Sequence, residues 1–561
     1  MCRGSGRLVR LAAIAVVAAV VTACTSGPNA AVQPVPSTST TAAGAPLGAA
    51  APVAPAPTAT GAPSTGAAST AAPTASGAPA TGAPGTSPLT PESPVVAENA
   101  KPGTADWRIP AGTGRQISGY ADTTSAQRGD TVTLFVSSTA DWDVTAYRMG
   151  WYGGDMGHLV WRSSTQKAVS QPGPTTDSAT HMAEARWSPS LRVAVGTDWV
   201  PGDYLLVLRS SDGGAHDVPL TVRDDNSSAA LVIVNAVTTW QAYNTWGGCS
   251  LYACPGLKGV PRATVVSFDR PYDHGYNNGS ADFLDHELSL VALAEQLGLD
   301  VTYVTDVDLD RNPSLVLHHK GVVSLGHDEY YSAAMRGGLV AARDAGVNLA
   351  FLGANAIYRR IRFEPSWDGR ARRHEVNYRT MSDPAAKTDP KAATIQWRLA
   401  PLNLPEAQIV GVQYACSPVS ADLRIVDPSS WVFEGTGATD GLTLPNVVAN
   451  EYDRVFRGPW TPPNLEVLAH SPLTCRGKSD FADMAYYSAP SGAGVFASGS
   501  IHWICSIDGL CPTTNEAATV VRQVTANVLT AFAAGPAGAA HPSVANVDAL
   551  NAGTGGASGG D

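Results

Sequence analysis

Four short, mostly apolar runs constrain what the second half of this 561-residue chain can fold into. Leu231-Val232-Ile233-Val234, Val301-Thr302-Tyr303-Val304, residues 321–325 and Leu349-Ala350-Phe351-Leu352-Gly353 are each the length of a strand, with helical patterns between them. A run that is apolar throughout suits a strand buried on both faces, and strands alternating with helices pair in parallel. The pattern predicts helices over 283–297 and from a Ser332 cap to about Ala345. Ile409-Val410-Gly411-Val412 and Gly494-Val495-Phe496-Ala497-Ser498 are later strand candidates, followed by a final helix over 515–532. Residues 227–534 are thus expected to form an α/β domain with a mostly parallel sheet.

Upstream, residues 105–226 carry only short β-rich runs, among them Thr131-Val132-Thr133-Leu134-Phe135-Val136, Val144-Thr145-Ala146-Tyr147-Arg148 and Tyr204-Leu205-Leu206-Val207-Leu208. Pro201-Gly202-Asp203 and Asp212-Gly213-Gly214 punctuate them, which predicts an antiparallel, Ig-like β-sandwich. The two ends read differently. Residues 1–23 pair Arg3, Arg7 and Arg10 with an apolar run too short to span a bilayer, the layout of an export signal. Val21-Thr22-Ala23-Cys24 resembles the lipobox of bacterial lipoproteins, which implies lipidation of Cys24 and a membrane anchor on the outer face of the cytoplasmic membrane. Residues 24–104 are rich in Pro, Ala, Thr, Ser and Gly and read as a disordered tether, and 535–561 as a disordered tail.

A formal net charge of −11 argues against nucleic acid as a partner. Six of the eight cysteines (Cys249, Cys254, Cys416, Cys475, Cys505 and Cys511) fall in the expected folded part. An even set in an exported chain favours disulfides. Cys249 with Cys254 and Cys505 with Cys511 can close small loops, leaving Cys416 with Cys475, one of fifteen connectivities.

Side chains at the carboxyl ends of neighbouring parallel strands converge on a crevice. Tyr243 and Tyr252 follow the first strand, His327, Asp328 and Glu329 the third, and Asn355 the fourth. Two phenolates and a carboxylate are hard anionic donors that suit ferric iron, and such an ion can polarise a carbonyl and acidify water. Those are the two needs of amide hydrolysis.

Trp240-Gln241-Ala242-Tyr243-Asn244, Ser250-Leu251-Tyr252, Gly326-His327-Asp328-Glu329-Tyr330 and Phe351-Leu352-Gly353-Ala354-Asn355 resemble the large (beta) subunit of N,N-dimethylformamidase and its wider family, as does Tyr147-Arg148-Met149-Gly150-Trp151-Tyr152 upstream. The resemblance implies a class I glutamine amidotransferase-like α/β domain and hydrolysis of a small amide at mononuclear iron (Fe3+). It places the metal on Tyr243, Tyr252 and Glu329, with His327, Asn355 and Glu451 as catalytic or substrate-facing groups. It also implies a small partner subunit or a homo-oligomer.

Each residue has a plainer reading. Singly, Tyr243 and Tyr252 are ordinary packed aromatics, His327 a helix cap or loop donor, and Asn355 a turn former. Asp328 reads as a helix cap, His502 as a structural His held in reserve for the crevice, and Asp306, Asp308 and Asp310 as turn and cap residues rather than a calcium loop. No Gly-x-Ser-x-Gly, His-Glu-x-x-His, phosphate-binding or dinucleotide motif occurs. The expected function is hydrolysis of C–N bonds in small amides. The alternatives are a non-catalytic cell-surface binding protein with the same fold and a hydrolase of cell-envelope polymers.

Overall fold

The computed structural model describes residues 93–552. The export signal, Cys24, the tether up to residue 92 and the last nine residues lie outside the described residues. The described part is β-rich, with several sheets and few long helices.

In the first half a three-stranded sheet (Ile117–Ala121, Thr131–Ser138, Leu191–Ala194) faces a five-stranded one. The latter runs Ser125–Gln127, Ala215–Arg223, Gly202–Ser210, Trp142–Met149, Gly157–Arg162. The strand Gly202–Ser210 shows how the halves join. Leu206 and Leu208 point into the core between these two sheets, whereas Leu205 and Val207 point the other way into a core shared with Leu231, Ile233 and Leu290. Alternate residues of a strand face opposite sides, so a strand buried on both reads as a continuous apolar run.

The central sheet has seven strands in the order Val301–Thr305, Leu231–Asn235, Gly321–Gly326, Asn348–Gly353, Gly494–Ala497, Lys478–Ser488, Glu466–Cys475. The first five are mutually parallel and the last two form an antiparallel hairpin. Val232 and Val234 pack on one face, Leu231 and Ile233 on the other. Three disulfides join Cys249 to Cys254, Cys416 to Cys475 and Cys505 to Cys511. Among the described residues no helix is long and apolar enough to cross a membrane.

Several expectations need correction. The helix over 283–297 breaks into Phe283–His286 and Leu288–Gln296. At the break, Glu287 turns inward to accept hydrogen bonds from Asn235 Nδ2 (2.8 Å), the Ala236 N–H (3.1 Å) and Trp240 Nε1 (2.9 Å). Ile409 and Val410 belong to a helical turn, Ala407–Val410, rather than a strand. The tether ends early: Pro94–Asn99 is a helix whose Glu98 is buried and accepts from the Tyr152 hydroxyl at 2.9 Å. Residues 535–552 are docked rather than disordered, with Ala537 and Ala552 buried and Asp548 paired to Arg457.

Candidate metal centre

The loop that leaves the third central strand begins at Gly326, whose φ of +50° lies in the left-handed region that favours glycine. A Cβ there would sit 2.5 Å from the His286 carbonyl oxygen, and one on Gly353 only 1.5 Å from that of Gly326. The two strand ends therefore touch backbone to backbone, and their loops diverge over a common crevice. Glu329 is held in that loop by its own N–H, which donates to Thr239 Oγ1 at 2.9 Å. Tyr243 is the last residue of the helix Val237–Tyr243. Tyr252 lies in the loop closed by Cys249 and Cys254, where Ser250 Oγ accepts from its N–H at 3.0 Å.

Glu329 Oε2 is the focus of the site. The Tyr252 hydroxyl donates to it at 2.5 Å and the Tyr243 hydroxyl at 3.2 Å, while His327 Nε2 stands 3.5 Å away. The other oxygen, Oε1, accepts from Tyr252 at 2.7 Å and from Arg359 Nε at 3.0 Å. The two tyrosine rings stack with centroids 4.2 Å apart, and the His327 ring lies 5.2 Å from that of Tyr243.

Asn355 and Glu451 complete the opposite wall. Asn355 takes a left-handed φ of +63°, fixed by its N–H donating to Asp453 Oδ1 at 2.8 Å, and its Nδ2 donates to Glu451 Oε2 at 2.8 Å. Glu451 sits on the strand Thr443–Arg454, between the register pairs Cys416–Tyr452 and Val419–Asn450 where the ladder is irregular. Such irregularities re-aim side chains. Its carboxylate is 3.8 Å from His327 Nε2. The cavity above these groups holds about 640 Å³ and includes Tyr243, Tyr252, Glu329, Asn355 and Glu451 in its lining.

Burial would neutralise a lone carboxyl, but His327 and Arg359 outweigh it and hold Glu329 down at about 2. For His327, burial pulls downward, and the carboxylates of Glu329 and Glu451 overcome it to raise the imidazole to about 9. Burial first, and then the charge of Glu329, push both phenols well above their ordinary range. The tyrosines are thus neutral donors to a charged carboxylate unless a cation displaces their protons.

Three oxygens that meet within hydrogen-bond distance form a donor set for a hard cation, and three anionic oxygens would neutralise a trivalent one. A further buried atom at the site, Asn355 Oδ1, has no hydrogen-bond partner. Buried polar atoms are normally satisfied, so this one fits a site that takes a bound group.

The other candidates fall elsewhere. Asp328 does not cap the following helix; Ser332 does, accepting from the Met335 N–H at 3.2 Å. The Asp328 carboxylate is buried beneath the loop, where it accepts from Ser324 Oγ at 2.7 Å and the Tyr331 hydroxyl at 2.5 Å. Asp308 forms a capping box with Thr305, Asp310 pairs with Arg372, and Asp306 accepts from Thr238 Oγ1. His502 starts a short helix outside the cavity lining. It lies near Cys505 and Cys511, whose sulfurs are tied in a disulfide and offer no thiolate to a metal.

Sequence reasoning missed Arg359, Arg379 and Thr239. Arg359 reaches Glu329 because Arg359–Arg360 pairs in parallel with Tyr330–Tyr331, a two-residue ladder too short to show periodicity.

Fold and site together define a β-rich protein with a mixed, largely parallel central sheet and a buried Tyr-Tyr-Glu cluster at its strand ends. Residues 143–518 match the family described as N,N-dimethylformamidase beta subunit-like, C-terminal. The chain belongs to that family, and membership is consistent at a coarse level with an amide hydrolase. No curated protein matches the chain. Among solved structures, an uncharacterized protein from Bacillus anthracis str. Ames is 16% identical over 18% of this chain and 84% of its own, with a TM-score of 0.11. A Paenibacillus sp. cycloisomaltooligosaccharide glucanotransferase complexed with cycloisomaltoheptaose is 8% identical over 69% of each chain, with a TM-score of 0.16. Overlaps at such scores carry no argument about fold or function.

Proposed function

We propose that this protein hydrolyses C–N bonds in small amides, in the manner of N,N-dimethylformamidase, with one ferric ion held by Tyr243, Tyr252 and Glu329. The observation that carries the reading is the meeting of both phenolic hydroxyls on Glu329 Oε2. When bound, iron supplies a Lewis acid that polarises an amide carbonyl and makes water nucleophilic near neutral pH.

The chain's own residues do the rest. Arg359 fixes the rotamer of Glu329 through Oε1, and Thr239 fixes its backbone. Asn355 orients Glu451 through Nδ2 and keeps Oδ1 for the N–H of an amide substrate. Burial raises Glu451 above the ordinary carboxyl range, which makes it a base for the proton of attacking water. His327, protonated between Glu329 and Glu451, donates a proton to the departing amine. The cavity of about 640 Å³ suits a small molecule better than a polymer.

On the family resemblance we further read the first half as Ig-like and the central sheet as glutamine amidotransferase-like. The Val21–Cys24 segment supports a membrane anchor through Cys24, and a small subunit or a second copy remains the proposed partner. The test is a panel of formamides and primary amides offered to the iron-loaded full chain. Release of amine, abolished in Glu329→Gln, is expected. An iron-loaded protein inert across the panel would instead favour the non-catalytic binding protein.

A further inference from the structure

The cavity over the Tyr-Tyr-Glu cluster is far more basic than the chain around it. Four arginines (Arg262, Arg359, Arg379 and Arg476) line it against two glutamates, in a protein whose formal net charge is −11. Arg359 is committed to Glu329. Arg379 and Arg476 differ, because among the described residues neither makes an ion pair with a carboxylate. The Arg379 guanidinium lies 4.2 Å from the centre of the Tyr252 ring and donates its hydrogen bonds to neutral oxygens, those of Tyr330 (3.0 Å) and Asn377 (3.3 Å), with the Glu329 carboxylate attracting it only from beyond ion-pair distance. Arg476 sits in the exposed turn of the hairpin Glu466–Cys475 and Lys478–Ser488, where its Nε donates to the Ser417 carbonyl at 2.8 Å. The disulfide between Cys416 and Cys475 immobilises both sides of that contact.

We infer that Arg379 and Arg476 form an anion subsite beside the cluster, so that the preferred substrate is an amide bearing a carboxylate, a small N-acylated amino acid, rather than a neutral amide. The placement fits such a molecule. The Tyr252 hydroxyl touches Glu329, and Arg379 covers the face of the same ring. An amide held at the hydroxyl end therefore puts a substituent one or two bonds away within reach of the guanidinium. Two arginines in a concave wall hold a carboxylate more strongly than water does, and neither must first break an ion pair. The inference rests on the hydrolase reading for the reaction but not for binding.

Isothermal titration of the full chain with N-formylglycine and with neutral N-formylglycinamide tests it, alongside hydrolysis of both. The expected result is at least about tenfold tighter binding of the carboxylate, a ratio that shrinks as salt rises. Arg476→Gln and Arg379→Gln are each expected to lower that ratio several-fold. Arg476 is exposed, so its variant should fold, and the salt series on the unaltered protein needs no variant. Equal binding of the two ligands, or no binding of either, would overturn the inference even if both are hydrolysed. So would a preference that survives both substitutions, since the Tyr-Tyr-Glu cluster would then hold the carboxylate. Tight binding of N-formylglycine with hydrolysis of neither ligand would leave the anion subsite standing and remove the hydrolase reading.

Discussion

The Tyr252 hydroxyl lies 2.7 and 2.5 Å from the two carboxylate oxygens of Glu329, although 77 residues separate them in sequence. Only the convergence of a disulfide-closed loop and a strand end brings them together. The Tyr243 hydroxyl joins Oε2 at 3.2 Å, and Arg359 Nε donates to Oε1 at 3.0 Å. A carboxylate held this way is fixed in place by the protein's own side chains.

Arg359 is, with His327, one of the cationic side chains that permit that charge to be buried. Removing one member of a buried ion pair strands the other, at a cost of roughly 3–5 kcal/mol. Arg359→Met is expected to lower the urea midpoint of the metal-free protein by a corresponding amount, with Arg359→Lys intermediate. An unchanged midpoint in Arg359→Met would show that Glu329 needs no partner there.

The two halves of the fold are clamped by a second buried pair. Arg148 Nη2 donates to Glu295 Oε1 at 2.6 Å and Nη1 to Oε2 at 2.9 Å, both side chains fully buried, and the Tyr303 hydroxyl adds a bond at 2.7 Å. Arg148→Met is expected to cost roughly 3–5 kcal/mol, and Arg148→Met with Glu295→Leu less than the single change. A double-mutant cycle by chemical denaturation measures this; additive losses would mean the pair is not coupled.

Asp203 lies buried at the same junction, accepting from Thr221 Oγ1 and Asn235 Nδ2, each at 3.2 Å. Burial raises its carboxyl to about 7. The folded protein thus keeps a proton that the unfolded chain releases above about pH 4, and stability falls as pH rises from there to about 7. Asp203→Asn is expected to match the parent near pH 4 and to exceed it by on the order of 4 kcal/mol at pH 8. Thermal unfolding at the two pH values checks this, and a variant with the parent's pH slope would contradict it.

Much of this arrangement was legible in the sequence where a long-range feature has a local signature. The four apolar runs are buried on both faces, so their composition announces parallel strands, and the ends of those strands locate Tyr243, Glu329 and Asn355. What lacks a local signature was missed. The Tyr330–Tyr331 and Arg359–Arg360 pairing is two residues long, while Arg379 and Arg476 stand in turns with φ of +62° and +48°. The segment after residue 535 has a linker's composition but packs through its small size. A Cβ on Gly538 would come within 2.4 Å of the Ala493 carbonyl oxygen. The break at Glu287 was invisible because its cause, Asn235 and Trp240, lies about fifty residues upstream.

The most direct measurement is the iron content and visible absorption of the full chain beside Tyr252→Phe and Tyr243→Phe. One iron per chain is expected, with a tyrosinate-to-iron charge-transfer band that weakens in each variant. Loading should release protons, because both phenols are neutral in the metal-free protein. A chain that retains no iron, or one whose absorption is unchanged in Tyr252→Phe, would contradict the assignment of this cluster as the metal centre.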